Sequence, residues 1–376
     1  MEYTKKYEEL KSIYNSAIRE IKLTDPGMSI VNLEFISASN PEGLFNTEDL
    51  LIVENKSFTY PVFIPPDRKS NKVILLLHGL NERSWIKYLT WAFYLCRNTG
   101  SYVILFPISF HINRSPSSWK DPRAMTSSVR DRLQTWNDVQ MSSFANIALS
   151  RRLTQDPMRF FISGYQTASD IVKLMSQIKY GEHEIIPLGS RVNMFAYSIG
   201  AFLSQILLMG NPDNLFTGSR LFLFCGGSVF CCMKGTSKLI MDSVAFNEIY
   251  DFYVDDFEEE IRRKQTIYGR ITESHLGMAF RSMIDFGRFR SVRENFLGRV
   301  RDQVKSISLL KDTVIPPEGI MKTMKDPVKN QSEVEVWDFP FNYSHENPFP
   351  LTDKSKAGAV DSWFERLFSE ACLYLA

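Results

Sequence analysis

The sequence lacks the marks of most specialised protein classes. Its longest apolar runs, such as Val73–Leu77, fall far short of the ~18 residues that a membrane span needs. Neither sign of charge dominates: 44 Lys and Arg stand against 43 Asp and Glu, a formal +1. That excludes a basic nucleic-acid footprint and an acidic solvating tail. Cysteine is scarce, with five residues, an odd number at irregular spacing and no C-x-x-C. A disulfide framework and a zinc ribbon are both excluded. The adjacent Cys231 and Cys232 invite a redox reading, but buried small apolar side chains account for all five cysteines more simply. There is no G-x-x-x-x-G-K-[ST], no G-x-G-x-x-G and no H-E-x-x-H, so neither cofactor nor metal is expected. The first nine residues are charged and carry no apolar signal region. The expectation is a soluble, cytoplasmic protein with no membrane span and no nucleic-acid partner.

What the chain does have is a globular composition, 44% apolar and 23% charged over 376 residues. The length suits two or three domains, or one large α/β domain with an insertion. Tyr3, Tyr7, Leu10, Tyr14, Ala17 and Ile21 alternate at spacings of four and three, which predicts an amphipathic helix over 3–21. Its apolar seam either packs on the protein's own body or forms a homodimer contact. Ile30–Ser37 and Leu50–Val62 read as edge strands. Val73–Leu77 and Tyr102–Phe106 read as strands buried on both faces. The stretch from Ser109 to about Gly164 reads as a long loop with short helices, followed by a helix over Ala168–Tyr180. Val192–Ala196, Leu221–Cys225, Val304–Leu309 and Val334–Trp337 complete the strands, with helices over Ile199–Met209 and Ala359–Leu375.

Strands alternating with helices predict an α/β fold, a mostly parallel sheet with helices on both faces. The charged helical stretch between two of its strands reads as a cap. The predicted organisation is an N-terminal helix (1–29), a core in two parts (30–232 and 302–376) and a helical cap insertion (233–301). Within the cap, Asp255–Glu260 followed by Arg262–Lys264 reads as a solvated helix face. The cap rings Phe246, Tyr250, Phe252, Tyr253, Phe257, Phe280, Phe286 and Phe289 suit either an apolar cleft roof or the core of a small subdomain.

The chemistry centres on Val192 to Ala201. A strand runs straight into a helix with Ser198 at the corner. Such a turn strains the serine backbone and lifts its hydroxyl above the sheet. Neighbours two before, and two and three after, must be small, and they are Ala196, Gly200 and Ala201. The helix aims its N-terminal N–H groups at the same corner, where they favour a developing oxyanion.

This corner resembles the α/β-hydrolase superfamily, whose usual pattern is G-x-S-x-G; here Ala196 takes the first place. A second mark is Leu75-Leu76-Leu77-His78-Gly79-Leu80, a buried strand ending in His-Gly. The resemblance implies an oxyanion hole made by the backbone N–H groups of Leu80 and Ile199. His78 itself reads as structural. The superfamily's chain order is serine, acid, histidine. Lys311-Asp312-Thr313-Val314-Ile315-Pro316-Pro317 resembles its acid turn, and His345 follows the last strand. His275, the other histidine after Ser198, falls in the cap. The resemblance spans about residues 50–376 and points to a bacterial branch of the superfamily, not to one enzyme family.

The implied roles are Ser198 as nucleophile, His345 as general base and Asp312 as the acid that orients it. The expected activity is hydrolysis of a carboxylic ester, thioester or amide of a small acyl substrate. An acyltransferase on the same triad and a non-catalytic binding protein are the alternatives. In the loop after Tyr102–Phe106, Arg114 is a candidate partner for a substrate carboxylate and Trp119 a candidate pocket wall.

Overall fold

The computed structural model describes residues 1–263, 267–325 and 333–376. Nine strands form one sheet: β1 (Glu20–Lys22), β2 (Ser29–Ile36), β3 (Ser57–Ile64), β4 (Lys72–Leu77), β5 (Tyr102–Phe106), β6 (Arg191–Tyr197), β7 (Leu221–Phe224), β8 (Val304–Leu309) and β9 (Glu335–Trp337). Their order is β1-β2-β3-β5-β4-β6-β7-β8-β9. The β1–β2, β2–β3 and β3–β5 pairs are antiparallel, and the remaining pairs are parallel.

The central strands are apolar on both faces because helices cover both. Along β4, Val73, Leu75 and Leu77 enter the core on one side, while Ile74 and Leu76 enter the core on the other. The first core holds the helices Met158–Tyr180 and Ile199–Gly210 and the segment between β7 and β8. The second holds Tyr3–Ile13, Ile86–Thr99 and Ala357–Leu375. Burying each such aliphatic side chain contributes roughly 1.5–3 kcal/mol.

The N-terminal helix is shorter than its pattern predicts. It covers Tyr3–Ile13, and Ile21 belongs to β1. Asn15 ends it, because its side-chain oxygen accepts from the Ala17 N–H at 2.9 Å, a local turn that competes with helix. The seam rests on the protein's own body: Tyr3 stacks on Phe364 at 4.2 Å and Leu10 is buried.

Two further boundaries are corrected. The predicted strand Leu50–Val62 opens with a helical turn, Thr47–Leu50, and the strand itself begins at Ser57. Asn46 sets that turn by accepting from the Asp49 N–H at 2.9 Å. The segment Ser109 to Gly164 is mostly helical, with helices Pro122–Thr135, Ile147–Gln155 and the start of Met158–Tyr180. Asp121 caps the first, and Pro122 occupies its first turn. Gly164 lies inside a helix and does not end a loop.

Between β7 and β8 the chain runs through the helices Ser243–Asp251, Phe257–Arg263, Ile267–Glu273, His275–Ser282 and Arg290–Val300. Lys264, part of the predicted charged face, lies outside the described residues. His275–Ser282 packs hard on Ile199–Gly210: a Cβ on Gly210 would sit 2.9 Å from the Leu276 Cα. Tyr253 and Phe257 join the core shared with the helix Met158–Tyr180, where they pack on Phe160 and Phe161, whereas Phe246 and Phe280 line cavities.

Candidate active site

Strand β6 delivers Ser198 to the sheet's carboxyl edge, and the helix Ile199–Gly210 starts immediately after it. Ser198 has φ 59° and ψ −124°, a conformation that costs on the order of 1–3 kcal/mol. Close packing holds it there. Gly200 donates its N–H to the His78 carbonyl at 3.1 Å, and a Cβ at Gly200 would lie 2.7 Å from that same oxygen. A Cβ at Gly226, past β7, would lie 2.5 Å from the Ala201 Cβ. Ala196 is fully buried in β6, so the methyl in place of the usual glycine is accommodated.

The Ser198 hydroxyl lies 2.7 Å from His345 Nε2, and His345 Nδ1 lies 2.7 Å from Asp312 Oδ2. Asp312 follows β8, and its other oxygen accepts from the N–H groups of Val314 and Ile315, each at 2.9 Å. A carboxylate so fixed accepts the hydrogen bond that the Nδ1–H of His345 donates. That leaves the Nε2 lone pair facing the Ser198 hydroxyl. All three residues are buried. The structure thus brings together the three residues that the sequence singled out. Cys225 lies against Asp312, and burial pushes its thiol pKa well up, so it stays neutral.

His78 is a structural residue. Its Nε2 accepts from the Ile108 N–H at 2.9 Å, so its proton is on Nδ1, which donates to the Gly79 carbonyl at 2.8 Å. Burial holds its pKa well below the usual value. The Gly79 N–H goes to the Tyr88 hydroxyl at 3.0 Å. Leu80 comes next in the chain and lines the same cavities as Ser198. Ile199 opens its helix, so its N–H has no intrahelical acceptor. His275 is exposed at the start of the helix His275–Ser282.

The expected role of Arg114 does not hold. Its guanidinium is fully buried and bonded to Asp170 at 2.8 Å, to Asn55 Oδ1 at 3.1 Å and to the Pro107 carbonyl at 3.1 Å. It lies 4.2 Å from the Phe58 ring centroid. Burial lowers its pKa to about 10 while Asp170 pulls the other way. Asp170, on the helix Met158–Tyr180, already supplies the carboxylate that a substrate would have brought. Trp119 lines a recess beside the one that holds Ser198, with the Arg152 guanidinium 4.9 Å over its ring.

The sequence reading missed the support of His345. The Tyr197 ring stacks on the imidazole at 5.4 Å and 19°. Lys87 sits 4.8 Å over Tyr197 and donates to the Glu346 carbonyl at 3.1 Å. Glu82 bonds both Lys87 and, at 2.7 Å, the Tyr88 hydroxyl. The only sequence signal was a pair of opposite charges at the mouth of an otherwise apolar helix.

Three cavities meet at this point. A polar recess holds Ser198 and His345 with Asn81, Glu82, Arg83 and Glu346. An apolar recess joins Ser198 to Met233, Ile240, Met241 and Phe246 of the segment between β7 and β8. A third, also apolar, runs from Leu80 and Ile199 to Phe160, Gly164, Phe202 and Phe280.

A family model described as "Family of unknown function (DUF6051)" matches residues 42–376. The chain belongs to DUF6051. No curated protein matches this DUF6051 chain. Among solved structures it is similar to carboxyl esterase 2 (TmelEST2) from the mycorrhizal fungus Tuber melanosporum, with 10% identity, a TM-score of 0.51, and coverage of 99% of this chain and 98% of that one. It is also similar to esterase Est22, at 12% identity and a TM-score of 0.49, over 99% of this chain and 87% of that one. The TmelEST2 match shows a shared fold. This DUF6051 chain has the α/β-hydrolase fold, as its nine-stranded, mostly parallel sheet with a helical segment after β7 requires. No described helix is long and apolar enough to cross a membrane.

Proposed function

We propose that the protein is a serine hydrolase that cleaves a carboxylic ester, thioester or amide through an acyl-serine intermediate. The observation that carries this reading is the unbroken bond chain from Ser198 through His345 to Asp312, on a serine held at positive φ.

In this reading the Ser198 oxygen attacks the acyl carbonyl carbon as its proton passes to His345 Nε2. The imidazolium is stabilised by Asp312. The carbonyl oxygen gains the negative charge, and the N–H groups of Leu80 and Ile199 receive it. Losing one such donor costs about 3 kcal/mol of transition-state stabilisation. His345 then gives its proton to the leaving atom as the acyl bond breaks. Water, deprotonated by the same imidazole, releases the acid. The two apolar cavities suit the acyl chain, because they meet at Leu80, Phe160 and Ile199, and one of them reaches Ser198.

The test is rapid mixing with para-nitrophenyl butyrate, acid quench and intact-mass measurement. A butyryl adduct on the peptide that contains Ser198 is expected. Ester hydrolysis that survives Ser198→Ala would contradict the proposal.

A further inference from the structure

The leaving group must lie where His345 can return a proton to it. His345 lines only the polar one of the three cavities that meet at Leu80, so the leaving group belongs there. That cavity adjoins a second recess through Asn81, Glu82 and Arg83, and Lys120 and Trp119 line its far side.

The basic side chains around these recesses fall into two sets. Lys87, Arg114, Arg132, Arg152 and Arg159 each hold a carboxylate, on Glu82, Asp170, Asp242, Asp49 and Asp49 respectively. Among the described residues, no ion pair engages Arg83 or Lys120. Arg83 is fixed all the same. One of its terminal nitrogens donates to the Lys120 carbonyl, its guanidinium lies 5.6 Å from the Phe144 ring centroid, and its Nε is buried with no partner. Burial lowers the pKa of both groups, and the Arg83 charge adds to that at Lys120, with Glu54 opposing it. Two adjacent, partly desolvated cations with no carboxylate in direct contact are costly unless an anion joins them. Glu82 in the same wall is taken by Lys87 and Tyr88. Glu346, beside His345, repels an anion from the triad itself and so favours the Arg83 end.

Building on the serine-hydrolase reading, we infer that Arg83 and Lys120 form an anion subsite for the leaving group. The natural substrate is then an acyl ester whose alcohol part bears a carboxylate or a phosphate. The guanidinium, which lines both recesses, offers a charge-assisted N–H contact to one anion oxygen, and the ammonium offers a second.

Equilibrium binding to the Ser198→Ala protein tests this without turnover. The probes are phenyl butyrate, para-carboxyphenyl butyrate and para-phosphonooxyphenyl butyrate. At least one charged ester is expected to bind about tenfold tighter than the neutral one, the scale of one charge-assisted contact. The tighter of the two names the anion. Arg83→Gln should abolish that advantage, Lys120→Gln should reduce it, and Arg83→Lys should restore part of it. The melting temperature of each variant confirms folding. Charged esters that bind no tighter than phenyl butyrate, an advantage kept in both glutamine variants, or no binding by any probe would overturn the inference. Labelling of Ser198 in the wild-type chain reports separately on the hydrolase reading.

Discussion

The amide of Gly200 donates to the carbonyl of His78 at 3.1 Å and ties the nucleophile helix to the turn after β4. The two N–H groups assigned to the oxyanion hole, on Leu80 and Ile199, lie one or two residues from this bond. Its geometry therefore sets their separation.

Gly200→Val tests that dependence. A Cβ there would meet the carbonyl oxygens of Leu77 and His78, both at 2.7 Å, and these are backbone atoms that cannot swing aside. Overpacking of this kind costs about 1–3 kcal/mol of stability. Acylation should suffer more, by roughly a hundredfold or greater, because the donors move apart. Thermal unfolding and acylation rates, measured on one preparation, check both. Acylation at the wild-type rate would sever the link between this bond and the oxyanion hole.

Gly164 gives a handle on the acyl chain. It sits on the helix Met158–Tyr180, lines the apolar cavity with Phe160 and Phe202, and has nothing within 4 Å of where a Cβ would go. Gly164→Leu fills that space and replaces a poor helix former with a good one, a gain of up to ~1 kcal/mol. The ratio of kcat/KM for octanoyl over acetyl esters should fall about tenfold. The cost of lost chain burial, near 0.8 kcal/mol per methylene, makes that a modest expectation. An unchanged ratio would place the chain elsewhere.

Acid should destabilise the fold before carboxylates titrate, because of histidines buried in neutral form. Burial lowers the pKa of His111 and of His183 from the ordinary 6.5 to about 4. His183 Nδ1 accepts from the Ile186 N–H at 3.1 Å, and that bond is lost on protonation. Between pH 6.5 and 4 the unfolded chain binds protons that the folded one refuses. Stability is therefore complete above about 6.5 and falls as pH drops towards 4, by a few kcal/mol at most. Melting temperatures from pH 7.5 to 5 should decline, and His183→Asn, which keeps an acceptor there, should flatten the decline. An equal slope in the variant would mean that His183 does not carry the effect.

The triad was legible in the sequence because each member sits on a local signal. Ser198 stands at a strand-to-helix corner with small neighbours, Asp312 opens a turn that ends in two prolines, and His345 follows the last strand. Arg114 misled because its partner Asp170 lies far along the chain, and nothing local announces the pairing. The helix over 3–21 was overextended for a similar reason. The apolar spacing continues to Ile21, but Asn15 turns the backbone and Ile21 is buried from a strand. The Lys87 brace under His345 rests on contacts between the start of the helix Ile86–Thr99 and the loop after β9. Only the folded chain brings those two together.

Labelling with a fluorophosphonate probe, wild type against Ser198→Ala, tests the central claim most directly, since it needs an activated serine and no knowledge of the substrate. The account predicts that the wild-type chain is labelled at Ser198 and that the variant is not. A folded wild-type chain that stays unlabelled while a control serine hydrolase reacts, or a variant labelled as strongly as the wild type, would contradict it.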